Sequence, residues 1–220
     1  MDESLAISMA DRTGGAEATA DRPMLVLAST SARRRALLEG AGYRFAVMDP
    51  GVDDGRLTPG RVEPHEWAVA LAYLKAWAVL DRVRGARGRG SALVLGADTI
   101  CVQDGRIIGQ PRDGGHAGRM IRSFVDREHE VITGVALIDA SSGRRDLFAD
   151  RARVRFRAIS NAQIDAYVAT GQWEGKAGGY NLHERLDAGW PIEYSGDATT
   201  IVGLPMDRLR ANLTHLVCAA

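Results

Sequence analysis

Short runs of apolar residues along the chain predict buried β-strands. Such a run, bounded by glycine, proline or polar residues, is typical of a strand that is covered on both faces. Residues 146–159 differ from the other segments, because four arginines alternate there with apolar residues. This alternation predicts one core face and one solvated face. The predicted strands are residues 24–28, 43–47, 93–102, 106–109, 128–140 and 146–159.

Other segments place apolar residues at the three- and four-residue spacing of a helix. The predicted helices cover about residues 31–42, 64–83, 113–124, 160–170 and 206–216. Ser160 and Gln163 form a capping box that opens the fourth of them. In the second helix, the stripe expected to face the core consists of Trp67, Leu71, Leu74 and Ala78. Residues 82–91, rich in glycine and arginine, are expected to form a connector.

Strands and helices alternate loosely, and a long hairpin occupies the second half, so the pattern predicts an α/β protein with a mixed sheet. Residues 1–23 never gather an apolar run and are expected to form a flexible extension, followed by a single domain over residues 24–220. No segment approaches the roughly 18 apolar residues that a membrane span requires. We therefore expect a cytoplasmic protein.

Composition narrows the range of partners. The chain has 220 residues, of which 28 are basic and 28 acidic, so the formal net charge is zero. A broad basic face for nucleic acid or a membrane surface is therefore not expected, and any polyanionic partner should be small. Its two cysteines have no metal-type spacing and fit a reducing compartment, and the five histidines show no zinc-binding pattern.

The first strand leads directly into a candidate anion site. Ser29, Thr30 and Ser31 offer helix caps, and arginines 33–35 then occupy the first helical turn. Positive charge is unfavourable at that end of a helix unless an anion joins it. The pattern therefore indicates a phosphate site, although a solvated basic patch is the alternative.

Candidate catalytic or metal-binding carboxylates lie elsewhere in the chain. Asp98 follows a small pair, Gly96 and Ala97, at the end of a buried run, where it either anchors a turn or holds a metal or activates water. The neighbouring residues Asp53 and Asp54 either bind a hard cation or solvate a turn. Together with the phosphate site, these carboxylates suggest hydrolysis of a phosphoanhydride.

Six motifs sharpen this hypothesis, because together they resemble the Maf family of nucleoside triphosphate pyrophosphatases, also known as septum formation inhibitor Maf-like proteins. The resemblance runs in order from about residue 24 to 216. The motifs are residues 27–34, 96–99, 109–111, 129–135, 176–180 and 202–205.

The resemblance implies hydrolysis of a nucleoside triphosphate to a monophosphate and pyrophosphate with Mg²⁺ or Mn²⁺. It also implies an elongated mixed sheet with flanking helices, two lobes around a central cleft as in Maf and ITPase-like folds, and a possible homodimer. By the same resemblance, Asp98 is the expected proton acceptor and, with Asp54, the expected metal ligand. The residues expected to bind substrate are Ser29, Arg33, Arg34, Lys75, Thr99, Gln110, Lys176 and His183.

The chain departs from the family pattern at several positions. Gln110 replaces a lysine, Ala32 replaces a proline, and His183 stands where the dTTP/UTP members carry a glutamine that reads the base. Arg33 and Thr99 resemble that pyrimidine subgroup, so the substrate is expected to be a pyrimidine or a non-standard nucleotide. A nucleotide-binding regulator of septum formation without turnover, and a phosphatase that releases orthophosphate, are the alternatives.

Overall fold

The computed structural model describes residues 23–87 and 91–218. The predicted extension lies outside the described residues except for Pro23. The strands are β1 Met24–Ala28, β2 Phe45–Met48, β3 Ala92–Gln103, β4 Arg106–Ile108, β5 Glu128–Asp139, β6 Arg145–Phe156 and β7 Ile192–Ser195. The helices are α1 Ala32–Gly40, α2 Pro64–Arg87, α3 Gly114–Phe124, α4 Asn161–Ala169, α5 Leu182–Asp187, α6 Ala198–Val202 and α7 Met206–Cys218.

The strands form one seven-stranded mixed sheet in the order β2-β1-β3-β5-β6-β7, with β4 paired to β3. Strand β1 runs parallel to both of its neighbours, and the remaining pairs are antiparallel. This confirms the predicted α/β class and the hairpin of β5 and β6. The alternation in β6 is also confirmed, since Ala152, Val154 and Phe156 are buried and the arginines between them are exposed.

Four clusters of buried apolar residues pack against the sheet, and two of them, here called the two cores, share one face of the long strands β3 and β5. In one of them, α1 and α7 pack on the half of β3 that contains Leu95 and Ala97. In the other, α3, α4 and α5 surround the half that contains Cys101. Thr99 lies on this face of β3 where the two cores meet, and Asp98 points to the opposite face, towards Lys75 of α2. A polar band between two cores matches the predicted arrangement of two lobes around a cleft.

Helix α2 lies almost directly on the sheet backbone. A Cβ atom built on Gly96 of β3 would lie 2.2 Å from the carbonyl oxygen of Ala72, and one built on Gly134 of β5 would lie 2.2 Å from the carbonyl carbon of Ala68. Because no side chain fits between helix and sheet at either point, both positions require glycine. The expectation that Gly96 permits a close approach is therefore confirmed.

The predicted core stripe of α2 is correct at Leu71 and wrong at its other three positions. Leu74 and Ala78 are exposed and Trp67 is only partly buried. The close approach to the sheet requires small side chains at the contact points, where the helix places Ala68, Ala72 and Ala76. The buried residues of α2 are Ala68, Leu71, Ala72, Ala76, Val79, Leu80 and Val83.

Several shorter elements differ from the expectations. Helix α2 continues through Arg87, so the predicted connector is wrong for residues 82–87. Residues 88–90 of it lie outside the described part of the chain. Helices α5 and α6 and strand β7, of four to six residues each, were not predicted, because so few residues show no clear periodicity. Within the described residues, no helix has the length and apolar character needed to cross a membrane.

The second core contains a buried histidine. His129 is 1% exposed, stacks on Phe124 with ring centroids 4.0 Å apart, and its Nε2 lies 2.8 Å from the hydroxyl of Tyr180. Burial lowers the pKa of His129 to about 3, so the ring is neutral at physiological pH.

We expect this histidine to make the protein sensitive to acid. The unfolded chain binds a proton at about pH 6.5. Because His129 in the folded state does not bind one until about pH 3, its contribution to stability is complete above pH 6.5. The free energy of unfolding should then fall by about 1.4 kcal/mol per pH unit as the pH drops towards 3.

His129→Gln, which keeps a polar partner for Tyr180, should therefore flatten this dependence. The measurement is urea unfolding at a series of pH values between 5 and 7. His65→Gln, at an exposed site, is the control and should keep the wild-type slope. Equal slopes for wild type and His129→Gln would contradict the expectation.

Candidate active site

A cleft of about 410 Å³ opens between the two cores. It is bounded by the loop that follows β1, the loop before α2, the middle of β3 and the loop between α4 and α5. Asp98 therefore lies within β3, not at the end of a buried run as expected. Of the residues predicted for the site, those that line the cleft are Ser29, Arg33, Arg34, Asp54, Lys75, Asp98, Thr99 and Gln110. A larger cavity of about 730 Å³ lies against α2 and β6, but it contains none of these residues.

The loop after β1 forms one wall of the cleft and carries the hydroxyl groups. The Oγ of Ser29, which is buried, accepts a hydrogen bond from the backbone N–H of Ser31 at 3.2 Å. Ser31 then caps α1 by accepting from the N–H of Arg34 at 3.4 Å. The first turn of α1 contains no acidic residue, so the positive end of the helix faces the cleft without a carboxylate of its own.

Arg34 is held by three neutral groups. Its Nε donates to the carbonyl oxygen of Gly203 at 3.0 Å, its Nη1 to the Oγ of Ser29 at 3.1 Å and its Nη2 to the Oγ1 of Thr99 at 3.2 Å. Burial lowers the pKa of Arg34, and the nearby Asp98 opposes that change. Since none of the three acceptors carries a charge, the guanidinium charge remains available to an anion in the cleft.

Lys75 joins the two candidate carboxylates. Its Nζ lies 2.5 Å from Oδ1 of Asp98 and 2.6 Å from Oδ2 of Asp54. Burial raises the pKa of Asp98, while the charges of Lys75 and Arg34 work in the opposite direction. Lys75 reaches this position because it belongs to α2, which is held against β3 at Gly96.

The structure does not bring Lys176 or His183 to the cleft. The Nζ of Lys176 donates to Glu184 at 2.5 Å, and His183 is exposed in the first turn of α5. Both placements depend on α5, which the sequence pattern did not reveal. The loop before α5 instead faces the cleft with Gly175, Ala177 and Asn181.

A family model described as Maf-like protein matches residues 24–216. The chain belongs to the Maf family. It is 40% identical to the dTTP/UTP pyrophosphatase of Pelotomaculum thermopropionicum, in an alignment that covers 84% of this chain and 92% of that protein. It is also 43% identical to the dTTP/UTP pyrophosphatase of Moorella thermoacetica, over 83% and 89% of the two chains, and 41% identical to that of Symbiobacterium thermophilum, over 87% and 93%.

In this Maf chain, the carboxylates of Asp54 and Asp98 are candidate ligands for a divalent cation. Among the described residues, no three side chains of His, Cys, Asp or Glu form a group that could bind a metal. Asp54 and Asp98 alone nevertheless suit Mg²⁺, which typically uses one or two carboxylates and completes its coordination with water and phosphate oxygens. Both carboxylates contact the same positive atom, Nζ of Lys75. They are therefore close enough together for a single metal ion to contact both.

We expect Lys75→Gln to destabilise the folded protein, and more so at pH 8 than at pH 5. Removal of one partner from a largely buried ion pair costs about 3 kcal/mol or more, because a buried charge is left uncompensated. At the lower pH, Asp98 can take up a proton instead, because burial raises its pKa. Chemical denaturation at the two pH values measures the difference.

The matched control is Arg122→Gln, which removes an exposed ion pair with Asp165. A surface pair of this kind contributes about 0–1 kcal/mol, so the control should show only a small loss at both pH values. A loss for Lys75→Gln that is equally small, or that is the same at pH 5 and pH 8, would contradict the expectation.

Proposed function

We propose that this chain hydrolyses a nucleoside triphosphate between the α and β phosphates and releases a nucleoside monophosphate and pyrophosphate. The observation that carries the proposal is the cleft itself, where a buried carboxylate at Asp98 faces an arginine held only by neutral groups at Arg34. An unneutralised cation beside a general base suits an anionic substrate that reacts with water.

We further propose dTTP and UTP as the preferred substrates. Three relatives at 40–43% identity are named dTTP/UTP pyrophosphatases. The volume of the cleft, about 410 Å³, lies within the range of small-molecule sites. The base would lie towards Gly175, Ala177 and Asn181, which line the cleft from the loop before α5.

In this proposal the phosphates lie along the N-terminus of α1. The guanidinium of Arg34 and the hydroxyl of Ser29 would contact phosphate oxygens, and Arg33, which is partly buried on the same wall, would add a second positive charge. The N–H groups of the first helical turn point in the same direction. Charge-assisted hydrogen bonds of this kind become stronger as negative charge develops on the leaving pyrophosphate.

Asp98 is proposed as the proton acceptor. The attacking water would transfer its proton to the carboxylate as its oxygen bonds to phosphorus, and the bridge between the α and β phosphates would break. Since Oδ1 of Asp98 accepts from Lys75, Oδ2 is the oxygen that would take the proton. The raised pKa of Asp98 makes it a better base than an exposed aspartate.

Asp54 and Asp98 would hold the divalent cation, Mg²⁺ or Mn²⁺. When bound, the cation would neutralise phosphate charge and favour departure of pyrophosphate. Lys75 contacts both carboxylates and keeps them together. The homodimer and the cytoplasmic location stay predictions.

The first test is an assay of the purified protein with Mg²⁺ or Mn²⁺ against a panel of nucleoside triphosphates that includes dTTP and UTP, with pyrophosphate and orthophosphate scored separately. Pyrophosphate release from the pyrimidine nucleotides is the expected result. Orthophosphate release would indicate a phosphatase, and binding without turnover would indicate a regulator, an alternative that the names of the relatives do not favour.

Asp98→Asn should lower kcat by about 10²–10⁴-fold, because the amide cannot accept a proton at neutral pH. Thermal unfolding should show that the variant still folds, and calorimetry should show that it still binds nucleotide. Asp104→Asn is the control, since this exposed aspartate in the turn between β3 and β4 pairs only with Arg127 among the described residues. If Asp98→Asn kept wild-type turnover, Asp98 would have no part in proton transfer.

Gln110→Lys should lower the KM for dTTP about tenfold, because a charge-assisted contact replaces a neutral one at the rim of the cleft. Ala211→Lys is the matched control, since it adds the same charge at an exposed position on α7 outside the cleft. Steady-state kinetics at two salt concentrations measure both variants. An unchanged KM for Gln110→Lys would show that the phosphates do not approach this position.

A further inference from the structure

Two threonine hydroxyls lie in the interior behind the cleft. Thr133 and Thr200 are both 0% exposed, and neither lines the cleft. Thr133 lies on β5 directly opposite Thr99 on β3, which does line it. A buried hydroxyl is costly unless it is hydrogen-bonded, so its partners indicate its role.

The hydrogen bonds form a chain in which each group donates to the next, from Arg34 through Thr99 and Thr133 to the carbonyl oxygen of Thr200. Thr133 Oγ1 lies 2.7 Å from the carbonyl oxygen of Thr200, which can only accept, so Thr133 donates its single hydrogen there. Thr133 Oγ1 also lies 2.9 Å from Thr99 Oγ1, so Thr99 must be the donor in that contact. The lone pairs of Thr99 are thereby directed at Arg34, whose Nη2 donates to them at 3.2 Å.

Thr133 also supports a second contact of Arg34. Its bond to the carbonyl oxygen of Thr200 ties the sheet to α6, the helix that ends just before Gly203. The carbonyl oxygen of Gly203 accepts from Nε of Arg34 at 3.0 Å. Two of the three groups that hold Arg34 are therefore linked to Thr133, Thr99 directly and Gly203 through α6, and the third, Ser29, belongs to a different loop.

The consequence for Arg34 follows from the number of its N–H groups. A guanidinium has five, and three of them are used by Gly203, Ser29 and Thr99. One N–H on each Nη remains, and a fork of two such groups can bind phosphate oxygens in a bidentate manner. The geometry of that fork depends on the contacts that fix the rest of the guanidinium.

We propose that Thr133 is a positioning residue that orients the phosphate-binding fork of Arg34 through Thr99 and the α6 segment, without contacting the substrate. The inference rests on the proposed function for the identity of the anion. The hydroxyl acts by accepting from one side and donating to the other, so Ser should replace Thr and the isosteric Val should not.

The test compares Thr133→Val with Thr133→Ser. Thr133→Val should raise the KM for dTTP about tenfold with a smaller change in kcat, because the defect lies in phosphate binding. Thr133→Ser should restore KM to within about twofold of the wild type. Equal kinetics for Val and wild type, or an equal loss for Ser and Val, would overturn the proposal.

A double-mutant cycle separates positioning from general stability. In an Arg34→Met background, Thr133→Val should have no further effect on KM, because the group that it positions is absent. A purely structural role for Thr133 would instead give the same loss in both backgrounds and contradict the proposal. If Thr133→Val does not fold, Thr133→Ala, which also removes the hydroxyl, replaces it in the cycle.

Calorimetry with inorganic tripolyphosphate gives a readout that does not depend on turnover. Weaker binding by Thr133→Val than by wild type, in a protein that hydrolyses no nucleotide, would remove the proposed function and leave the positioning role intact. If the wild type hydrolyses dTTP fully and Thr133→Val binds tripolyphosphate as tightly as the wild type, the proposed function would stand and the positioning role would be overturned.

Discussion

The close contact between α2 and the sheet is the constraint on which the cleft depends. At Gly96 and Gly134 the helix backbone replaces the side chains that would normally separate the two layers. This proximity brings Lys75 within 2.5 Å of Asp98 and 2.6 Å of Asp54. Any side chain at either glycine would push α2 outward, and Lys75 would move away from both carboxylates with it.

Two of the cations that line the cleft, Lys75 and Arg34, are held in different ways. Lys75 is already paired with carboxylates, so it keeps Asp98 and Asp54 together and adds little free charge to the cleft. Arg34 is held only by hydroxyl and carbonyl groups, so its charge is not neutralised by its anchors. A buried guanidinium whose hydrogen-bond partners are all uncharged is unfavourable, and an anionic ligand reduces that cost.

The long elements were predictable because their periodicity is carried by many residues. The alternation of β6 and the capping box at Ser160 have local causes, and both are present in the structure. The orientation of α2 was not predictable from its own residues, because apolar side chains occur on more than one of its faces. The face that packs on the sheet is the one that contains Ala68, Ala72 and Ala76. The short helix α5 was missed for lack of periodicity, and with it the ion pair that holds Lys176.

The sequence by itself determined the α/β class, the strand and helix at the proposed phosphate site, and a carboxylate at Asp98 close to a glycine that permits close packing, because each is a property of neighbouring residues. The tertiary structure decided which distant groups meet. It paired Lys75 with both carboxylates and aligned Thr133 behind Thr99. It also left Lys176 and His183 outside the cleft, because Lys176 pairs with Glu184 of α5 and His183 lies on the exposed side of that helix. Such contacts follow from strand register and helix packing, which no local pattern encodes.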